Sequence, residues 1–206
     1  MALFILTACS GTGKSTLVKR LLALHPQLRL SVSNTTRSPR VGEEDGVHYH
    51  FTPPERFDEM IKADAFVEWA EYAGHKYGTA HAEVQRAEVQ GYDLLFEVEI
   101  IGAEALKTAY PHAVSCFVLP PSWSEIERRL RGRQTEDEET IQRRLSRGRD
   151  ELLELDDARF FDYFVVNDLL EDAVKDLSAL YRSAQLSAQA QSGLLNHIQR
   201  QAGGAL

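Results

Sequence analysis

Residues 2–25 read ALFILTACSGTGKSTLVKRLLALH, and the succession of textures in that stretch sets the fold. ALFILTA (2–8) is a continuous apolar run that ends in a loop, the pattern of a buried central strand. STLVKRLLALH (15–25) reads as a helix stopped by Pro26. Between them, ACSGTGKS (8–15) fits G-x-x-x-x-G-K-[ST] except at its first position, where Ala8 stands. With a strand before it and a helix after it, the Gly11–Gly13 region lets backbone N–H groups converge on a phosphate chain at a helix N-terminus. Lys14 adds a point charge against the β- and γ-phosphates, and Ser15 is placed to ligate Mg²⁺. The reading is an ATP site whose contacts run from Ala8 through Cys9, Ser10, Gly11, Thr12, Gly13, Lys14 and Ser15 to Thr16. Ala8 removes no donor and is tolerable where φ is negative. Cys9 reads as a small inert filler rather than a reactive thiol.

The remaining composition narrows the class. A chain of 206 residues is long for one domain and short for two, which suggests one core carrying insertions. No apolar run approaches the roughly 18 residues that span a bilayer, and the start lacks the basic region of a signal peptide. Cys9 and Cys116 make no disulfide framework, so a cytoplasmic protein is expected. The formal net charge of −8 argues against broad nucleic-acid binding, so any anion site must be local.

Outward from the loop, short apolar runs alternate with amphipathic ones, as in an α/β protein with a mostly parallel sheet. YDLLFEVEI (92–100), AVSCFVL (113–119) and FDYFVVND (161–168) read as further core strands, and 169–200 as helical throughout. Residues 33–91 are aromatic-rich and alternating, with one helix near PERFDEMIKAD, and read as an inserted subdomain. Residues 123–154, helical and dense in arginine and acid, form a second insertion, leaving 1–32, 92–122 and 155–206 as core.

The stretch SVSNTTRSPRVGEEDGVHYHF (31–51) sets Arg37 and Arg40 three apart, with Tyr49 nearby. Arginine forks pair bidentately with phosphate oxygens, and tyrosine hydroxyls add neutral donors. His48 and His50 flank Tyr49 and read as surface or packing residues, and no histidine shows metal-ligand spacing.

Together with FVEWAEYAGHKYGT (66–79), EVEIIGA (97–103), RRLRGR (128–133) and FVVND (164–168), this order and spacing resembles the guanylate kinases from about residue 3 to about residue 168. The resemblance implies a P-loop nucleoside monophosphate kinase fold: a parallel core sheet flanked by helices, a GMP-binding subdomain (33–91) and a helical lid (123–154). It implies Mg²⁺-dependent transfer from ATP to GMP, with dGMP open as a second acceptor. By resemblance Arg37, Arg40, Tyr49 and Tyr77 hold the GMP phosphate, Glu68 reads guanine, and Ser33 and Thr79 address the rest of the base edge. A carboxylate accepts from guanine's adjacent N1–H and 2-amino group, and adenine lacks the first. Arg129, Arg133 and Arg144 match the lid arginines, and Asn167 lies near the adenine site unless it is an end-of-strand cap. Arg128, Arg131, Arg143, Arg147 and Arg149 are left to the surface.

Three positions depart from the family, the mildest being Thr79, which stands where serine is usual and keeps the hydroxyl. Glu99 stands where relatives usually carry aspartate, reaching roughly 1.5 Å further, and Ile101 stands where glutamine is usual. Glu97 would share a strand face with Glu99, and Glu99 is preferred as the functional residue. Two other classes compete: a scaffold that holds phosphorylated peptides, and a kinase for another phosphorylated acceptor such as a sugar phosphate. Lys14, Ser15 and the lid arginines weigh against the first, and Glu68 with Ser33 and Thr79 against the second. Residues 170–206 say nothing about function; they could pack on the core or contact another subunit of a homo-oligomer.

Overall fold

A computed structural model describes residues 1–203 apart from 73, 133–136, 154 and 156–159. The first strand, β1 (Leu3–Ala8), is buried at all six positions because it lies in the middle of a sheet covered on both faces. After the glycine loop comes α1 (Lys14–Leu24), then a three-residue strand, β2 (Leu28–Leu30). With β7 (Asp93–Glu97), β8 (Val114–Leu119) and β9 (Tyr163–Val166) these form a five-stranded parallel sheet ordered β2-β7-β1-β8-β9. In register, Leu6 of β1 faces Glu97 of β7 and Ala8 faces Val118 of β8, so the carboxyl ends of three strands open on one edge.

Alternation along β1 sends its side chains into two cores. Phe4, Leu6 and Ala8 pack against Leu17 and Leu21 of α1 and against Ala173, Val174, Leu177 and Tyr181 of the penultimate helix, α7 (Leu170–Leu186). Leu3 and Ile5 face α3 (His81–Gln90), α4 (Ile100–Ala109), α5 (Trp123–Gly132) and α6 (Glu138–Leu153). Asp93, buried at the sheet edge, accepts from Ala2 N–H at 2.6 Å, Tyr181 Oη–H at 2.7 Å and Gln185 Nε2 at 3.0 Å, which ties α7 to the start of the chain.

The second sheet is ordered β4-β3-β6-β5, from β3 (Asn34–Thr35), β4 (His50–Phe51), β5 (Phe66–Tyr72) and β6 (His75–Ala80). Helix α2 (Pro54–Lys62) closes its small core, where the Phe57 and Phe66 rings stack at 4.5 Å.

Four features differ from the sequence reading. β2 is too short to carry a period of its own. Helix α3 shows only Val84 and Ala87 as apolar core positions in an otherwise polar segment, so its pattern is faint. The strand expected to run to residue 100 stops at Glu97, and Glu99 is the N-cap residue of α4. Glu97 and Glu99 therefore do not share a strand face. The expected continuous helix 169–200 is broken between α7 and α8 (Ser192–Gly203), where the Ser187 hydroxyl takes the Ala190 N–H and competes with helix continuation. No described helix is long and apolar enough to cross a membrane.

Candidate active site

The glycine loop joins β1 to α1, and its shape depends on two glycines with positive φ, Gly11 at 91° and Gly13 at 97°. A Cβ on Gly11 would meet Ile126 of α5 at 2.9 Å, so the loop lies directly on the core. Asn167 donates from Nδ2 to the Thr12 carbonyl at 2.7 Å, and Arg129 reaches the same carbonyl at 3.2 Å. Both side chains therefore hold the loop from behind, and neither lines the cavity in front of it. That cavity, about 1070 Å³, opens over Ser10–Gly11 and Gly13–Thr16. Ala8 lines it too and is not among the positive-φ residues, which explains why a methyl group is accepted there. The Cys9 thiol is buried against the Thr12 hydroxyl at 2.9 Å, and burial pushes its pKa up, away from thiolate chemistry.

A second cavity, about 280 Å³, lies between the small sheet and the start of α4, and Arg40 and Glu99 line both. Its walls include Ser33, Arg37, Tyr49, Tyr77 and Glu68. Arg37 forks onto Glu43, with NH1 at 2.9 Å and NH2 at 2.8 Å, and sits 5.3 Å over the Tyr49 ring. Glu43 also accepts the Arg40 N–H at 2.7 Å, and the Arg37 guanidinium holds its carboxyl down at about 2. Glu43 is thus a permanent anion that orients Arg37 within the 37–43 turn.

Glu68 projects from β5 beside Thr79 of β6, its cross-strand neighbour. Glu68 Oε1 accepts the Thr79 N–H at 3.0 Å and the Thr79 hydroxyl at 2.6 Å. Burial pushes its pKa up, while those two hydrogen bonds pull the other way. Gly102 of α4 makes room for it, since a Cβ there would lie 3.1 Å from Glu68 Oε2. Thr79 itself is fully buried and does not line the cavity, because its hydroxyl is committed to Glu68. Ile101 points away from both cavities and is 66% exposed, so this departure from the family falls on the surface.

Helix α6 closes one side of the larger cavity. Gly148 brings it close to the loop, where a Cβ would stand 3.2 Å from the Ser10 carbonyl. Arg144 Nε lies 3.3 Å from the Ser10 hydroxyl. Glu151, buried, accepts the Ser10 N–H at 2.8 Å, and its pKa is raised by burial. Lys14 Nζ stands 4.0 Å from Glu97 and 3.8 Å from Glu99. Arg133 lies outside the described residues. His50 packs against Glu83 at 3.2 Å and His48 accepts the Glu44 N–H, while among the described residues no His, Cys, Asp and Glu group is arranged to hold a metal ion.

Glu43, Arg147 and Glu151 were missed from the sequence. Arg147 lines the larger cavity rather than the surface to which its charge run assigned it. Its i+3 offset from Arg144 was the available signal. Glu43 lay in an acidic turn with no period to read.

Comparison with known proteins agrees with this geometry. A profile of the family described as guanylate kinase matches residues 1–184. The chain is 46% identical over 193 residues to the guanylate kinase of Neisseria gonorrhoeae, covering 94% of this chain and 93% of that one. It is 49% identical over 175 residues to that of a Synechococcus strain, covering 85% and 92%. The crystal structure of guanylate kinase from Anaplasma phagocytophilum superposes with a TM-score of 0.70 at 27% identity, over 90% of this chain and 87% of that one.

Proposed function

The chain belongs to the guanylate kinase family, and from that premise we propose that it transfers the γ-phosphoryl group of ATP to GMP, giving ADP and GDP. The observation that supports this most is the meeting of the two cavities at Arg40 and Glu99. A triphosphate on the glycine loop and a monophosphate held by Arg37, Arg40, Tyr49 and Tyr77 would bring their phosphates together there.

The steps follow from the groups in place. Loop N–H groups and Lys14 bind the β- and γ-phosphates, with Glu97 and Glu99 aiming the ammonium. Glu68, with Oε1 braced by Thr79, accepts the Watson–Crick donors of guanine, and Ser33 lines the same cavity. An oxygen of the GMP phosphate attacks the γ-phosphorus in line. The bond to the β,γ-bridging oxygen breaks and ADP leaves with that electron pair, so no protein nucleophile is needed. Arg144, and Arg133 by family resemblance, offset charge spread over the equatorial oxygens. The hard oxygen donors of Ser15 and Glu99 beside the loop suit Mg²⁺, which would neutralise phosphate charge when bound with ATP. Arg129 and Asn167 act from behind the loop by holding the Thr12 carbonyl. The free thiols Cys9 and Cys116 fit a cytoplasmic setting.

The test is ADP release from Mg·ATP with GMP, dGMP, AMP, UMP or no acceptor. Release with the guanine nucleotides alone supports the reading. Equal release with every acceptor and none, or no release, would point to another acceptor or to a phosphopeptide scaffold.

A further inference from the structure

Arg147 belongs to the charge run of α6, yet its guanidinium faces the larger cavity and joins two carboxylates from different parts of the fold. NH2 lies 2.9 Å from Glu99 Oε2, at the N-terminus of α4 where the two cavities meet. Nε lies 2.6 Å from Glu151 Oε1, and the other oxygen of Glu151 accepts the Ser10 N–H at 2.8 Å. On the far side, Glu99 Oε1 stands 3.8 Å from Lys14 Nζ. A continuous line of charge-assisted contacts therefore runs from the glycine loop through the lid helix to the junction of the cavities and back to the phosphate-binding lysine.

Two features make Arg147 the centre of this line. Glu99 is half exposed and lies between two cations, Lys14 on the side of Oε1 and Arg147 on Oε2. Glu99 and Glu151 also repel each other, which contributes to the raised pKa of Glu151, and the arginine fork between them offsets that repulsion. Without Arg147, Glu99 would be drawn onto Lys14, where it competes with nucleotide phosphates. The helix carrying Arg144 would also lose its tie to the junction.

We propose that Arg147 is a positioning residue for phosphoryl transfer. It fixes the Glu99 carboxylate in its place beside Lys14 and couples the seating of α6 on the glycine loop to the point where the two phosphates meet. This rests on the reading of the reaction given above. It gives the departure at Glu99 a physical partner, because Oε2 of this longer side chain is the atom that meets the arginine.

The test compares the native chain with Arg147→Gln, Arg147→Lys, Glu99→Gln, the double glutamine variant and Arg149→Gln. Arg149 provides the control, since it carries the same charge on α6 but lies 5.5 Å over the Trp123 ring. Arg147→Gln should lower kcat by about tenfold. GMP affinity measured by calorimetry without ATP should stay within about twofold of native, because Arg147 does not line the smaller cavity. Arg147→Lys, which keeps the charge but not the fork, should recover part of the rate, Arg149→Gln should keep it, and the double variant should be no slower than the slower single one. Native kcat in Arg147→Gln, equal slowing in Arg149→Gln, or losses that multiply in the double variant would overturn the proposal while leaving the reaction intact. A melting temperature of Arg147→Gln that falls along with its rate, with no recovery in Arg147→Lys, would mark the arginine as merely structural and overturn it too. Failure of the native chain to phosphorylate GMP would remove both the reaction and this inference.

Discussion

The two cavities are built on opposite principles. In the larger, eight of the lining residues belong to one contiguous segment, 8–16, whose backbone turns from β1 into α1, and α6 with Arg40 and Glu99 supplies the other walls. The smaller is an assembly of side chains drawn from positions 33 to 102, on a loop, two strands of the small sheet and the start of α4. Backbone donors on a fixed turn recognise what all triphosphates share. Side chains on separate elements can be exchanged one by one, so they carry the discrimination. On the proposed reaction, general binding and specific binding occupy different parts of this molecule.

Breaking the glycine-loop half at Lys14, the charged residue of the 8–16 segment, has the largest expected effect. Lys14→Ala should lower kcat by about 10³-fold, because the ammonium stabilises charge that develops in the transition state. GMP binding, measured by calorimetry without ATP, should survive; its loss would mean that the cavities are not separable. Breaking the side-chain half at Glu68 comes next. Glu68→Gln presents an amide donor to guanine's own donors and should reduce kcat/KM for GMP by about 10²-fold while the KM for ATP stays put. Unchanged GMP kinetics would take Glu68 out of the base site.

A smaller effect sharpens the contrast from the backbone side. Gly11→Ala combines a strained positive φ with a Cβ at 2.9 Å from Ile126, and should cost about 2 kcal/mol of stability, read as a lowered Tm. It should also weaken ATP more than GMP, since the strain falls on the triphosphate loop.

The smallest effect is a pH dependence of GMP binding, set in the side-chain half. Burial raises the Glu68 pKa above the ordinary 4.5, so the folded chain holds that proton more tightly than the unfolded one. The resulting stabilisation is fully present below 4.5 and is lost as the pH rises through the folded value. GMP binding needs the carboxylate and runs the opposite way, weakening on acidification before an exposed glutamate would protonate. Calorimetric titrations at descending pH should show this in the native chain and not in Glu68→Gln. Glu43, held at about 2 by Arg37, stays charged throughout and should not contribute.

Legibility in the sequence followed the same division. The ATP-site reading of 8–16 could be made from order alone, because strand, turn and helix are neighbours along the chain and phosphate contacts are made by groups every residue carries. Arg37 and Tyr49 read as an anion site from residue type, but their link to Glu68 is legible only through resemblance, since nothing in the spacing joins residue 37 to residue 68. Resemblance puts Thr79 at the base edge and leaves Asn167 between an adenine contact and an end-of-strand cap; in the structure Thr79 braces Glu68 and Asn167 the Thr12 carbonyl, supports that one-dimensional spacing does not reveal. Arg147 was dismissed because a charge run on a helix has two faces, and only packing shows which one meets the loop.

By itself, then, the sequence determined a parallel α/β core opened by a phosphate-binding loop, because local hydrogen bonding and apolar periodicity act over a few residues. Only the tertiary structure decided that Glu99 stands at the N-terminus of a helix, that Glu43 orients Arg37 and that Arg147 joins Glu99 to Glu151. The Arg147 links depend on distances between elements far apart in the chain, which exist only after the core has packed, and the other two on the local turn and helix boundary that packing selects.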